Sequence, residues 1–230
     1  MTLSIMCVTR GEKHAWKFLE DLRMLSRELD AELVLGVDRP VVTIDNFGAD
    51  KVVPVKSEGY VESVLERVLS ETTGDYVLRM DDDERCSPAM RKWLLEKQYL
   101  SAPHWKFCTA NLWGNETSVI VNPPLWPDHH TRLSVRSMAG GRHSPHCGSP
   151  FGGGELAPVI HEHHKFLVKS LEERREIAGR YDAYAEGYGT SDHMRPFSLP
   201  ETCYDHLVLA PLGDGTVRGW NAHEFWRENL

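Results

Sequence analysis

The 230-residue chain has no apolar run approaching the roughly 18 residues of a membrane span. Its mean hydropathy of −0.41 agrees, so no membrane span is expected. The opening MTLSIMCVTRGEKH has neither a basic n-region nor a small-residue cleavage site, and no signal peptide is expected. Basic excess is missing too: 26 Lys and Arg face 34 Asp and Glu, a formal net charge of −8. That balance argues against a protein whose main work is gripping nucleic acid through its phosphates. Cysteine is scarce. The five cysteines, at 7, 86, 108, 147 and 203, are odd in number and form no CxxC, so free thiols in a reducing cytoplasm are expected. The sequence also shows no internal repeat and no low-complexity segment.

What is present is the composition of an ordinary folded domain. Hydrophobic residues are 41% and charged residues 26%, which excludes wholesale disorder. At about 150 residues per domain, the length suits one large domain or one domain with an appendage. A chain of this size buries about 70–75% of its unfolded surface and needs no disulfide or zinc staple.

Leu3 to Val8 is a short, branched apolar run and reads as a buried strand. From Glu12 to Leu29, Ala15, Phe18, Leu19, Leu22, Leu25 and Leu29 recur at helical spacing. Glu32 to Val37 and Val52 to Val55 read as strands, Tyr60 to Ser70 as a helix, and Asp75 to Met80 as a strand. Ser87-Pro88 opens a helix, with serine as N-cap and proline at the first position. The order β-α-β-β-α-β-α indicates an α/β layered domain with a mostly parallel sheet. In the second half, Lys106 to Leu112, Thr117 to Val121, Arg132 to Arg136 and Leu156 to His161 read as strands. Six glycines in 140–154 mark a long loop, and Ser170-Leu171-Glu172-Glu173 is a capping box opening a helix to about Gly187.

The sharpest chemical signal is Asp81-Asp82-Asp83-Glu84, directly after the strand DYVLRM. Open α/β sheets bind ligands at the carboxyl ends of their strands. Consecutive carboxylates there repel one another unless a cation or ribose hydroxyls satisfy them. Hard oxygen ligands select Mg²⁺ or Mn²⁺, which also take phosphate oxygens. The residues therefore point to a metal-bridged diphosphate. A solvated acidic turn at a helix N-terminus is the plainer alternative.

With these pieces in order, the chain resembles the family 2 glycosyltransferases of the GT-A fold. The likeness covers about residues 2–96, through SIMCVTRGE, ELVLGVD, TTGDYVLRM and DDDERCSP as the family's DxD motif. A looser likeness over 132–184 joins RLSVRS, VIHEHH and KSLEERREIAGRYD to the later part of family members. The resemblance implies a donor-binding half over 1–100, an acceptor and catalytic half over 101–187, and a C-terminal extension over 188–230. It implies that Thr9, Arg10 and Gly11 contact the nucleotide and that Asp38 faces the base. Asp81 and Asp82 would lie by the ribose. Asp83 would bind a divalent cation, Mn²⁺ or Mg²⁺, with His161 or His163 completing the metal site. On a strand those two histidines share one face, and His164 takes the other.

The implied reaction moves a sugar from a nucleotide-sugar donor, UDP-hexose by preference, to an acceptor hydroxyl with inversion. The metal neutralises the leaving diphosphate and a carboxylate takes the acceptor proton. His146-Cys147 stands where related chains carry a His-Glu pair. The candidates for the base are therefore Glu155 first, then Asp128 and Glu162, with His146 contacting the acceptor. GGRHSPHCGSPFGGG lacks the GxxxxGK[ST] pattern and suits a lid over the donor, not a phosphate loop. Trp105, Trp113 and Trp126 are candidates for stacking on sugar rings or for core packing. The acceptor stays open among a protein, a saccharide, a small molecule and a modified DNA base. A nucleotidyltransferase and a catalytically degenerate binding module are the competing readings.

Overall fold

The computed structural model describes residues 1–38, 48–122, 125–140, 154–184, 186–187 and 207–216. His146, Cys147 and most of the glycine-rich loop lie outside these residues, as does most of 188–230.

Strand β1 (Leu3–Thr9) is buried at all seven positions, because both faces of the sheet are covered. Ile5 and Cys7 face helix α1 (Ala15–Leu29), packing with Leu19, Leu22 and Leu25. Met6 and Val8 face the other layer, against Val34, Val64 and Val68. Strict alternation thus divides one strand between two cores. Strands β2 (Glu32–Asp38), β3 (Lys51–Val55) and β4 (Tyr76–Arg79) run parallel to β1, in the order β3-β2-β1-β4. Between β3 and β4 the expected helix is split, into a 3-10 turn over Val61–Val64 and a short α2 (Leu65–Leu69).

The sheet continues with β8 (His129–Val135), β6 (His104–Asn111), β9 (Glu155–His163) and β5 (Glu84–Cys86), giving eight strands. β6 and β9 are parallel to each other, while β8 is antiparallel to both β4 and β6 and β5 is antiparallel to β9. Six of the eight strands therefore point one way, the mostly parallel α/β sheet expected from the sequence. β5 was not expected; it follows the carboxylates at once, and only Met80–Asp83 link it to β4. β9 starts one residue earlier and ends two residues later than expected, and carries His161 and His163 to its C-terminal end. β7 (Ser118–Ile120) leaves the main sheet and pairs with β10 (Leu209–Pro211).

Helix α3 (Pro88–Leu95) starts as its serine and proline indicate: the Met90 amide donates to Ser87 Oγ at 3.1 Å. The capping box also forms. The Ser170 amide donates to Glu173 Oε2 at 2.7 Å, and the Glu173 amide to Ser170 Oγ at 3.2 Å. It opens α5 (Leu171–Tyr184) after the single turn of α4 (Lys165–Val168). No helix among the described residues is long and apolar enough to cross a membrane.

Gly74 shows how tightly β4 is entered. Its amide donates to Ser4 Oγ at 2.8 Å, and a Cβ added there would sit 2.6 Å from the Ser4 amide nitrogen. The backbone of β1 cannot yield without breaking its ladder. We expect Gly74→Ala to cost about 1–3 kcal/mol as overpacking. At roughly 2–4 °C per kcal/mol for a chain of this size, thermal unfolding reads that directly.

Candidate active site

The chain runs from β1 to β2 on one side and later returns to β4 on the other, so the direction of strand order reverses between β1 and β4. At such a switch the loops part and leave a crevice. A cleft of about 170 Å³ opens there, an order of magnitude more than one water needs. Among the described residues its lining holds seven carboxylates and six cations: Arg10, Arg79, Arg132, Lys165, Lys169 and Arg180.

The floor is the carboxylate turn. Asp81 is held by Arg132 Nη2 at 2.9 Å and by Arg79 Nη2 at 3.2 Å, and its own amide donates to Glu84 Oε2 at 2.9 Å. Arg132 also donates to Glu84 Oε1. The His161 ring, fully buried, places Nε2 3.3 Å from that same oxygen and 3.2 Å from Thr109 Oγ1. Burial pushes both carboxyls up, but Arg132 with Arg79 outweighs it at Asp81, and Arg132 with His161 outweighs it at Glu84. Both are held below the ordinary carboxylate range, Glu84 well below.

Asp83 is buried between the Lys169 ammonium and the ring of His163, an imidazole that burial lowers. His163 Nε2 lies 3.4 Å from Oδ1, and Lys169 Nζ donates to Oδ2 at 2.6 Å. Burial alone would raise its carboxyl; Lys169 and His163 hold it well below the usual range. Asp82 is placed differently. It accepts from Thr9 Oγ1 at 2.8 Å, and burial pushes its carboxyl up to about 7, with the Asp83 charge adding to the push and Lys169 opposing it. Burial thus raises one aspartate and is outweighed at its neighbour.

The loop after β1, for which nucleotide contact is expected, lines the same cleft. Gly11 turns the chain at φ 70°, a region that favours glycine, and its amide donates to Thr9 Oγ1 at 3.0 Å. Arg10 reaches across to Asp38 Oδ2 at 3.1 Å. Asp38 is buried and also accepts from the Ser57 amide at 2.9 Å and the Ser57 hydroxyl at 2.6 Å. Arg10 lines the cleft, and Asp38 sits beneath it.

The structure therefore gathers Thr9, Arg10, Asp81, Asp82, Asp83 and His163 on one cleft, with His161 just under its floor. Asp128 joins them and pairs with His130, Nε2 to Oδ1 at 2.9 Å. Burial lowers the His130 imidazole against the pull of Asp128, so the ring is neutral at pH 7. Glu155 does not join them. It opens β9, eight residues before His163, or about 26 Å along a strand, at the opposite end of the sheet. Glu162 turns from the cleft to His164, whose Nε2 is 3.2 Å away. Trp105 packs edge-on against Trp93 in the core, Trp113 against Phe166, and Trp126 is buried.

Sequence reasoning missed Arg79, Arg132, Glu62 and Lys169. One signal was available: Arg79 interrupts the apolar strand DYVLRM, and a charge there needs a buried partner. Glu62 supplies one, 3.7 Å away. Burial raises the Glu62 carboxyl.

Of the expected metal donors, His163 stands beside Asp83, 3.4 Å from Oδ1, while His161 is turned to Glu84 and Lys169 covers the other oxygen of Asp83. Among the described residues Glu12, His14 and Asp82 do converge, each with a ligand atom within 4.8 Å of the others.

Two measurements test this electrostatic arrangement. Arg132→Met strands Asp81 and Glu84 together, and we expect a loss of about 3–5 kcal/mol in denaturant unfolding. Asparagine at the two aspartates should give opposite pH signatures, read in EDTA. The Asp83 carboxyl is depressed, so its contribution is present above the unfolded pKa of about 3.9 and lost as pH falls through the folded value. Asp83→Asn should therefore show a deficit that is constant from about pH 5 to 8 and shrinks in acid. The Asp82 carboxyl is raised, so the folded state loses stability as pH climbs from about 4 to about 7. Asp82→Asn should gain on the wild type across that window. Parallel curves for the two variants would contradict the assignment.

No family model matches the chain, and no curated protein does. Solved structures do. Residues 1–349 of S. aureus TarS share the fold at TM-score 0.51 and 13% identity, over 78% of this chain and 65% of that one. The same TarS region in complex with UDP matches at 0.50 and 10% identity, over 88% and 76%. A longer TarS structure matches at 0.51 and 14% identity, over 88% of this chain and 45% of that one. The chain thus spans less than two thirds of the first of these and under half of the longest. What it shares with TarS is the α/β fold with its mostly parallel central sheet.

Proposed function

We propose that the chain is a glycosyltransferase of the GT-A, family 2 kind, taking a sugar from a nucleotide-sugar donor. One observation carries the reading: the buried carboxylate turn Asp81–Glu84 lies at the carboxyl end of β4, on the strand-order switch where α/β sheets take nucleotides. The UDP complex of TarS, on the same fold, supports a uridine diphosphate donor.

The cleft divides the work. The Arg10 loop and Asp38 lie where the base would enter, and Asp81 and Asp82 where the ribose hydroxyls would reach. Lys169, Lys165 and Arg180 line the same cleft and would face the diphosphate. Asp128 takes the acceptor proton, and His130, 2.9 Å from Oδ1, orients it. The acceptor oxygen then bonds to the anomeric carbon as the bond to the diphosphate oxygen breaks. That oxygen keeps the electron pair, and a single displacement inverts the centre. A divalent ion, where one binds, would be held by Glu12, His14 and Asp82 and would add charge neutralisation at the leaving group.

The test is a panel of nucleotide sugars incubated with the protein, with Mn²⁺ or EDTA, and analysis of the released nucleotide. We expect a free nucleoside diphosphate from one donor, and at least about a hundredfold less from Asp128→Asn, as general-base loss implies. Release of pyrophosphate from a nucleoside triphosphate would identify a nucleotidyltransferase instead. No binding of any nucleotide by calorimetry would leave only a binding module.

A further inference from the structure

The cleft carries its own positive charge where a divalent ion is expected. Lys165 opens α4, and Lys169 follows its last residue one turn later, with its amide donating to the Lys165 carbonyl at 3.0 Å. Both line the cleft. The Lys169 ammonium lies 2.6 Å from Asp83 Oδ2, and its side chain is only 9% exposed. The capping box at Ser170 and Glu173 fixes the chain immediately beyond it. The lysine is therefore placed by backbone structure and is not a loose surface tether.

In a nucleotide-sugar site an aspartate anchors a divalent ion, and the ion faces the diphosphate. Here the aspartate anchors an ammonium. Lysine binds phosphate as a point charge with three donors, and Asp83 Oδ2 accepts one of them. Lys165 lines the same cleft and adds a second ammonium to the first. A metal at Asp83 would first have to displace a buried, hydrogen-bonded ammonium, which costs the system a charge pair in low dielectric.

We infer that Lys169, backed by Lys165, is the diphosphate-binding cation of this cleft, and that nucleoside diphosphate binding does not require a divalent ion. The inference rests on the nucleotide reading above and deepens it. Asp83 is then a positioning residue: it holds Lys169 toward the ligand.

The experiment is calorimetric titration of the full chain with UDP, CDP, GDP and ADP, in EDTA and in Mn²⁺, and with the matching monophosphates. We expect one diphosphate to bind in EDTA within about threefold of its affinity in Mn²⁺, a difference under about 1 kcal/mol. Lys169→Met should weaken that binding in EDTA by about tenfold to a hundredfold, the range for hydrogen bonds to a charged group. It should change the monophosphate, which lacks the second phosphate, far less. Lys169→Arg should keep most of the affinity. Binding seen only with Mn²⁺, or undiminished binding by Lys169→Met, overturns the inference and makes the Lys169–Asp83 pair purely structural. If no nucleotide binds in either condition, the nucleotide reading itself fails and the inference falls with it. Should Lys169→Met not fold, the wild-type comparison in EDTA and Lys165→Met still decide.

Discussion

Burying Asp83 and Glu84 beside the half-buried Asp81 is the constraint around which this protein is arranged. Like charges at such spacing, taken out of water, would drive protons on or the chain apart. Arg132 prevents it by bridging two of them, and it arrives from a strand that runs against its neighbours. In a wholly parallel sheet the carboxyl ends of strands meet only other carboxyl ends. β8, entering antiparallel beside β4, brings its first residues to the cleft instead. The mixed direction of the sheet is therefore an electrostatic requirement as much as a topological one.

The cations are also divided by partner. Guanidiniums, which stay charged in any surroundings and fork between acceptors, hold Asp81 and Glu84 through Arg79 and Arg132. An ammonium, Lys169, holds Asp83. Among the described residues, Asp82 is held instead by the Thr9 hydroxyl. Its proton affinity is the residue of that imbalance.

Much of this was legible in the sequence, and the divide is physical. The first half reads well because its signals are local. Branched apolar runs gave β1 and β2, helical spacing gave α1, and the Ser87-Pro88 and Ser170–Glu173 signals gave α3 and α5. The acidic turn was legible as a site because a strand precedes it. Partnerships across many residues were not. That Arg132 meets Glu84, or Lys169 meets Asp83, follows from the pairing of β8 with β4 and of β9 with β5, which no local pattern encodes. Glu155 illustrates the cost. Its place just after the glycine-rich loop suggested closeness to the chemistry, but it opens β9, and a strand carries its two termini to opposite ends of the sheet. The helix read over residues 60–70 was right in place and wrong in kind, since the 3-10 turn there is what aims Glu62 at Arg79.

The short link between β4 and β5 has a mechanical meaning. These strands stand fourth and eighth in the sheet, yet only Met80–Asp83 join them. Four strand spacings in a flat sheet come to about 19 Å, while the five steps from Arg79 to Glu84 reach at most about 18 Å when fully drawn out. The turn is not drawn out, for the Glu84 amide bonds back to the Asp81 carbonyl at 3.1 Å. The sheet must therefore roll, carrying β5 around until Arg85 lies over the Phe18 ring of α1, 4.8 Å from its centre. The carboxylate turn is the drawstring of that roll. The residues proposed to meet the ligand are the same ones that set the curvature of the sheet, so the width of the cleft and the charge at its floor depend on a single stretch of chain.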